Sequence, residues 1–398
     1  MSDLRAKLLE NGFCIVRNAV PPSELDRLRT VFEGLLDRQR RIWRRERGRE
    51  DPPGGVWERS PQPRVVGFDG LVDDGESAAA VELLLGRPLE TSRRIMGAEA
   101  APTSFMMMCS PVRDHGPAVW HRDIHPIDQA PVAGLQRDLL ANGPGYLQWN
   151  LPLYDDPVLW VVPGSHRRPN TEAESQALAQ DPRRPLPGGV PVELAAGDAV
   201  VYTNLILHWG SDYSRRLRRT VHFGHRSFGG DLLPYVAGLH RRGDPSPFLG
   251  AADQEAWRRH RELYETECDL MEAAFRAAIA GDGPAFLESV ARLHPGESMR
   301  EVCLILLSKL ARKLARGPHP ERPGYGGDFT QDRELKPRFG GEDLETLWRR
   351  FGPLDDMLKA PGGREYVPGY QSGPMSYRFE SFPGGLTLES FVDGWETA

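Results

Sequence analysis

Leu25, Leu28, Val31, Phe32, Leu35 and Leu36 recur at intervals of three and four along the chain, which is the spacing of one buried helical face. Ser23-x-x-Asp26 resembles a capping box with Asp in place of Glu, so the pattern predicts a helix starting at Ser23 and covering a sheet. Upstream, residues 4–10 read as a short helix, and Phe13-Cys-Ile-Val-Arg17 is a β-prone run closed by Pro21-Pro22. From residue 100 to about 228 the texture changes to short apolar runs punctuated by Gly and Pro: 104–109, 146–153, 158–162, 190–194, 199–202 and 220–223. Several short strands with frequent turns predict a β-sandwich or barrel. Beyond Gly243 the period becomes helical. Trp257, Tyr264, Cys268, Met271, Phe275 and Ile279 form one stripe over 253–280, and 299–315 is apolar on most sides around Val302–Leu307. After Gly317, Gly and Pro are frequent and only 344–351 reads as helical, so this tail must pack on something to be ordered. The chain contains no internal repeat. The expected class is α+β, with a β-rich domain over 1–245 and a helical and irregular extension over 246–398.

The length of 398 residues suits one elaborated domain of about 250 residues plus an extension. A formal charge of −6 argues against a partner made of phosphate backbone, so no nucleic acid is expected. The basic residues are almost all Arg, the lysines being Lys7, Lys309, Lys313, Lys336 and Lys359. The arginine-rich stretch 38–49 is therefore read as a solvated helix end rather than an anion grip. Cys14, Cys109, Cys268 and Cys303 show no CxxC spacing, as buried free thiols in a reducing cytoplasm would. No apolar run approaches the roughly 18 residues of a membrane span, and the N-terminus lacks the apolar core of a secretory signal. A soluble cytoplasmic protein with no membrane partner is expected.

Candidate chemistry lies in Val119-Trp-His121-Arg-Asp123-Ile-His125. If extended, residues two apart share a face, so His121 and Asp123 can hold one ion together. His125 shares that face too, but three ligands on one strand are sterically awkward. A third ligand is offered by His208, at the end of Asn204-Leu-Ile-Leu-His208, which reads as an apolar strand 87 residues further on. Two imidazoles and a carboxylate leave three positions open on an octahedral ion, enough for a bidentate 2-oxoacid plus O2, and this is the set expected of non-haem Fe(II). Catalytic zinc usually keeps one open position. With eleven histidines in the chain, an HxD pair and a remote His are weak alone. Basic residues after His208 strengthen the case, because the far carboxylate of 2-oxoglutarate needs a cation inside the barrel. Arg218 and Thr220 share a strand face and could meet one carboxylate, whereas Arg219 would point with Val221 and Phe223; Arg218 is favoured and Arg219 stays open. His166, after Pro163-Gly164, is read as shaping a loop, and Trp149 and Trp160 as core. Two other readings remain: a catalytically silent jelly-roll binding protein, and a cupin-like metalloenzyme without a 2-oxoacid.

The run Asn11-Gly-Phe-Cys-Ile-Val-Arg-Asn-Ala-Val20, followed by Ser23-Glu-Leu25, His121-x-Asp123, Pro163-Gly-Ser-His166, Gly197-Asp198, His208 and Arg218-Arg-Thr, resembles the phytanoyl-CoA dioxygenase family over residues 4 to about 228. The resemblance implies a double-stranded β-helix (jelly roll), Fe(II) held by His121, Asp123 and His208, and consumption of 2-oxoglutarate and O2 with release of succinate and CO2. It also implies a cosubstrate-binding arginine after His208, for which the family's spacing suits Arg219 and its local pattern suits Arg218, with Trp149 near the pocket. Two departures stand out. Arg122 lies where the family often has Gln, and His208-Trp-Gly-Ser211 replaces a common His-Gly-Ser. Arg122 is read as structural, with a turn toward an acidic substrate group as the alternative. Related halogenases carry a small residue at the position of Asp123, so its presence favours hydroxylation, desaturation or cyclisation of a small-molecule substrate. Family members act on acyl-CoA thioesters, amino-acid derivatives and natural-product scaffolds, and fold does not choose among them. The extension is expected to be an integral lobe that covers the pocket mouth or makes a homodimer contact.

Overall fold

A computed structural model describes residues 2–228, 239, 243–322 and 332–397; residues 323–331 of the expected irregular tail lie outside that set. Two antiparallel sheets form the jelly-roll core. The larger runs β1 (Phe13–Val16), β7 (Ala199–Tyr202), β4 (Tyr146–Pro152), β9 (Arg219–Ser227), β3 (Ala100–Cys109) and β2 (Arg64–Val66) in spatial order, and the smaller runs β6 (Val190–Pro191), β5 (Leu159–Val161) and β8 (His208–Gly210).

Strand alternation sorts the large sheet into two chemically different faces. Cys14, Val65, Met107, Leu147, Trp149, Val201, Val221 and Phe223 point outward into a core shared with the helices Pro22–Arg45, Ala79–Leu85 and Arg87–Met96. Their neighbours on the same strands, Arg64, Met106, Met108, Gln148, Asn150, Tyr202 and His222, point inward and line a cavity of about 400 Å³. Register places Val66, Met106, His222, Asn150 and Val200 in one row across five strands. Toward the small sheet, Leu159, Val161, Val192, Leu194, Val200, Tyr202 and Ile206 close the sandwich.

The expected helices over 253–280, 299–315 and 344–351 are found as Ala251–Ala280, Arg300–Arg316 and Gly341–Met357. A further helix, Gly283–Leu293, follows where Gly281 adopts φ +72° and the Asp282 side chain accepts the Ala285 amide at 3.1 Å. These helices bury Met271, Phe275, Phe286, Val302, Ile305 and Phe351 against Ile124, Val132, Leu135, Leu139 and Leu205 of the N-terminal half, so one core crosses the expected boundary at 245/246. Arg226 forms two 2.7 Å bonds with Glu267 across the same junction, both side chains buried.

Two local expectations are corrected. The helix Pro22–Arg45 is entered from Pro21 without a side-chain cap; Pro22 in its first turn supplies a preset φ and no orphan N–H, so the Ser23 box is not used. Residues 204–206 turn rather than extend, and the strand begins at His208 itself. No helix among the described residues is long and apolar enough to cross a membrane.

Candidate metal centre

His121 and His208 meet because their backbones pair. Each amide donates to the other's carbonyl at 2.9 Å, and the Asp123 amide donates to Asn204 O at 3.0 Å. This pairing faces the imidazole rings, with centroids 4.3 Å apart. Asp123 lies two residues from His121 on the same side, with Oδ1 3.5 Å from His121 Nε2 and Oδ2 3.5 Å from His208 Nε2. One donor atom from each of the three residues falls within 4.8 Å of the others.

The tautomers suit a cation. His121 Nδ1–H donates to Val119 O at 2.8 Å and His208 Nδ1–H to Ile206 O at 3.0 Å, so both Nε2 lone pairs converge on Asp123, as in sites where a backbone carbonyl orients a ligating imidazole. Burial, with the neighbouring His121, lowers the His208 pKa to about 4, which keeps the ring neutral and able to ligate. For Asp123, burial alone pushes the carboxyl up, but the His208 and His121 rings and the Gln148 amide hold it well below the usual carboxylate range. Gln148 Nε2 donates to Oδ2 at 2.7 Å, and Gln371 Nε2 donates to Oδ1. A neutral His208 ring, a charged carboxylate and two imidazole Nε2 atoms converging on it fit a divalent metal ion.

Arg218 lines the same cavity with Tyr213, two residues before Thr220. Its Nε donates to Asp156 Oδ2 at 3.0 Å, Thr220 Oγ1 donates to the same oxygen, and its guanidinium lies 5.2 Å from the Tyr213 ring centroid. Burial raises the Asp156 carboxyl pKa, but Arg218, Thr220 and the Val158 amide outweigh it, so the net shift is downward. Arg219 leaves the barrel on the opposite strand face, where Nε and Nη2 reach the Glu33 carboxylate at 2.6 and 3.3 Å.

Trp149 is not at the cavity. It points outward with Leu147 and Leu151, stacks on Phe223 at 5.5 Å and donates Nε1–H to Ser92 Oγ at 2.9 Å. Arg122 is fully buried and faces away from the triad: Nε donates to Leu205 O at 3.0 Å and Nη2 to Ser165 O at 3.2 Å. His166 Nε2 donates to Leu9 O at 3.0 Å, holding the N-terminal turn against the Pro163-Gly164 loop. A Cβ on Gly12 would lie 2.6 Å from His166 Nδ1, so that approach requires glycine. His125 borders the cavity, its Nδ1 3.3 Å from Ser372 Oγ.

Besides Asp156, four residues at the cavity were not singled out by the sequence. Gln148, Asn150 and His222 face the cavity through the parity of β4 and β9, a signal present in the alternation of 146–151. His222 Nδ1 lies 2.7 Å from Asn150 Oδ1, and burial lowers its pKa to about 4. Gln371 had no such signal, because it reaches Asp123 across 248 residues of chain.

A family profile described as phytanoyl-CoA dioxygenase (PhyH) matches residues 8–220. The chain belongs to the phytanoyl-CoA dioxygenase family. Everything after residue 220, including the helical lobe and Gln371, lies outside the matched span. Among solved structures, the chain is similar to AviO1 from Streptomyces viridochromogenes Tue57 (21% identity, TM-score 0.43, covering 58% of this chain and 97% of that one). It is also similar to SnoN, a non-haem alpha-ketoglutarate-dependent epimerase from nogalamycin biosynthesis (18%, TM-score 0.41, 61% and 89%), and to EctD from S. alaskensis (14%, TM-score 0.42, 58% and 79%). A search of curated protein sequences returned no match.

The outward face beside the site yields one stability prediction. His225 Nδ1 lies 2.8 Å from Ser92 Oγ, and Nε2–H donates to Leu84 O at 3.2 Å. With Trp149 donating to Ser92, the Ser92 hydroxyl proton goes to His225 Nδ1, so only a neutral imidazole satisfies the chain of bonds. Burial lowers the His225 pKa to about 3. The unfolded chain, with an ordinary His pKa of about 6.5, binds this proton first, so stability is full above pH 6.5 and falls as pH drops toward 3. Thermal melts between pH 7 and 4.5 should show this loss, and His225→Gln should flatten the slope; an unchanged slope in that variant would assign the acid sensitivity to other groups.

Proposed function

We propose that this chain is an Fe(II)- and 2-oxoglutarate-dependent oxygenase that hydroxylates, desaturates or cyclises a small organic substrate, with release of succinate and CO2. The observation that carries the proposal is the convergence of His121, Asp123 and His208 in one cavity with a buried arginine, within a chain of the phytanoyl-CoA dioxygenase family. Metal, 2-oxoglutarate and O2 together supply the oxidation of an unactivated C–H bond; the protein contributes binding, orientation and exclusion of water.

In this reading His121 Nε2, His208 Nε2 and one Asp123 oxygen would hold the metal, and the cavity they line would take the 2-oxoacid. Arg218 would receive the far carboxylate: Asp156 accepts from its Nε, while Nη1 lies 3.8 Å from the sulfur of Met108, another cavity-lining residue. Thr220 shares the same Asp156 oxygen and fixes that carboxylate in place. Asn150 and His222 pair across the strands two residues along from Gln148, on the same inner face. Residues 246–398 act as an integral lobe, since Arg322 and Gln371 border the cavity from that side. A silent binding protein would have no need of convergent, correctly tautomerised ligands, and a metalloenzyme without a 2-oxoacid would leave the buried Arg218 without a role.

The test is Fe(II)-dependent conversion of 2-oxoglutarate to succinate by the purified protein; no metal-dependent turnover, with or without candidate substrates, would remove the assignment. Titration of 2-oxoglutarate into the Co(II)-loaded protein then checks the anchor. Arg218→Ala should weaken binding on the order of a hundredfold, as expected for loss of charge-assisted bonds to a carboxylate. Arg219→Ala, which cuts the Glu33 pair and the 2.9 Å bond from Nη1 to Arg218 O on the outer face, should change it by no more than about threefold. The reverse order would make Arg219 the anchor.

A further inference from the structure

Residues 368–372 run beside the strand that carries the metal ligands. Asn170 Nδ2 donates to Pro368 O at 2.8 Å, the Arg122 amide donates to Gly369 O at 2.9 Å, and Arg122 pairs with Tyr370 in a parallel bridge. The Arg122 guanidinium lies 5.7 Å from the Tyr370 ring centroid. Gly369 adopts φ +86°, and a Cβ there would come within 3.0 Å of Leu178 and 3.2 Å of Leu207. The strap is therefore pressed against the core at Gly369 and tied to the ligand strand at Arg122. The next residue, Gln371, reaches the cavity rim and donates to Asp123 Oδ1, while Gln148 donates to Oδ2 from the sheet.

Each oxygen of Asp123, the only acidic residue lining the cavity among the described residues, is thus held by an amide, one from the family core and one from outside its matched span. A carboxylate gripped at both oxygens cannot rotate away from the two imidazoles. Its charge stays intact, because the donors are neutral amides rather than competing cations. Both amides can persist when a cation is present, since each carboxylate oxygen has two lone pairs.

We propose that Gln371 is a positioning residue of the metal centre, and that docking of residues 368–372 and metal binding form one linked equilibrium. This rests on the metal-centre reading given above. A metal that binds better to the docked state must favour docking by the same factor. Residues that hydrogen-bond metal ligands typically carry 10–100-fold of metal affinity when removed.

The test uses the full chain and Co(II) alone, read by the cobalt absorption bands and by titration calorimetry. Gln371→Met keeps side-chain length and removes the donor; it should weaken Co(II) binding about tenfold or more and alter the cobalt spectrum. Hydrogen exchange at the amides of Gly369–Ser372 in the unaltered protein should slow when Co(II) is added, and this measurement needs no variant to fold. In Gln371→Met the Co(II)-dependent slowing should be lost. Co(II) affinity within twofold of the unaltered protein, or exchange at these amides indifferent to Co(II), would overturn the proposal and leave Gln371 as a rim residue. His208→Ala separates the two levels of inference. If the unaltered protein binds one Co(II) and His208→Ala does not, the centre stands whatever Gln371 does; if the unaltered protein binds none, the centre and the linkage fall together.

Discussion

Replacing any one of His121, Asp123 or His208 with alanine is expected to reduce 2-oxoglutarate turnover by roughly a thousandfold or more, because each contributes one of only three protein ligands to the catalytic ion. The loss should come from the centre and not from the fold. The pairing that joins residues 121 and 208 is made by backbone groups, which alanine keeps. His208→Ala leaves a void beside Tyr202, whose ring centroid lies 5.4 Å from that of His208, and this should cost a few kcal/mol at most. Asp123→Ala removes a partly buried charge but leaves the Gln148 and Gln371 amides without that acceptor, so its metal-free melting temperature should move only modestly. Succinate formation, bound iron and thermal melts on the same preparations separate these effects. A variant that keeps bound iron and turnover within twofold of the parent would take that residue out of the centre.

What was legible in the sequence follows the range over which each physical rule acts. The pairing of His121 with Asp123 needs only the two-residue period of an extended chain, and the orientation of Arg218 against Arg219 needs only the same period in β9. Both are local statements. His208 is remote, and its partnership with His121 rested on the residue types a metal requires together with the likeness to a family. Trp149 was drawn to the pocket by that likeness, although Leu147, Trp149 and Leu151 already alternate with Tyr146, Gln148 and Asn150 as the helix-covered face of a half-polar strand. Asp156 gave no local signal. Its role arises because a buried arginine needs a carboxylate, and which one it finds depends on how the loop before β5 returns to the barrel. Gln371 is the extreme case: an amide in a Gly- and Pro-rich tail, brought to the metal ligand by the docking of an entire lobe.

The same lobe sets the second large effect: a chain ending at Gly243 should be insoluble, or folded but unable to couple 2-oxoglutarate consumption to substrate oxidation. Three consequences of that cut add together. Ile124, Val132, Leu135, Leu139 and Leu205 are buried against the helices Ala251–Ala280 and Arg300–Arg316 and their neighbours, and exposing such side chains costs about 1.5–3 kcal/mol each. Arg226, fully buried, loses both bonds to Glu267, and an uncompensated buried charge costs roughly 3–5 kcal/mol. Asp138, bonded at 3.0 Å to the buried His294, loses that partner as well. The sum rivals the roughly 5–15 kcal/mol that holds a domain folded. If the shortened chain does fold, the segment 368–372 is gone, and with it the Gln371 contact to Asp123 and the cover beside Arg122. Water then reaches the ligand strand from that side, and 2-oxoglutarate consumption should uncouple from substrate oxidation. Solubility, melting and the ratio of succinate to oxidised product decide the matter: a soluble chain ending at Gly243, melting cooperatively near the parent's temperature and turning over in full coupling, would show that the lobe is dispensable to the centre it covers.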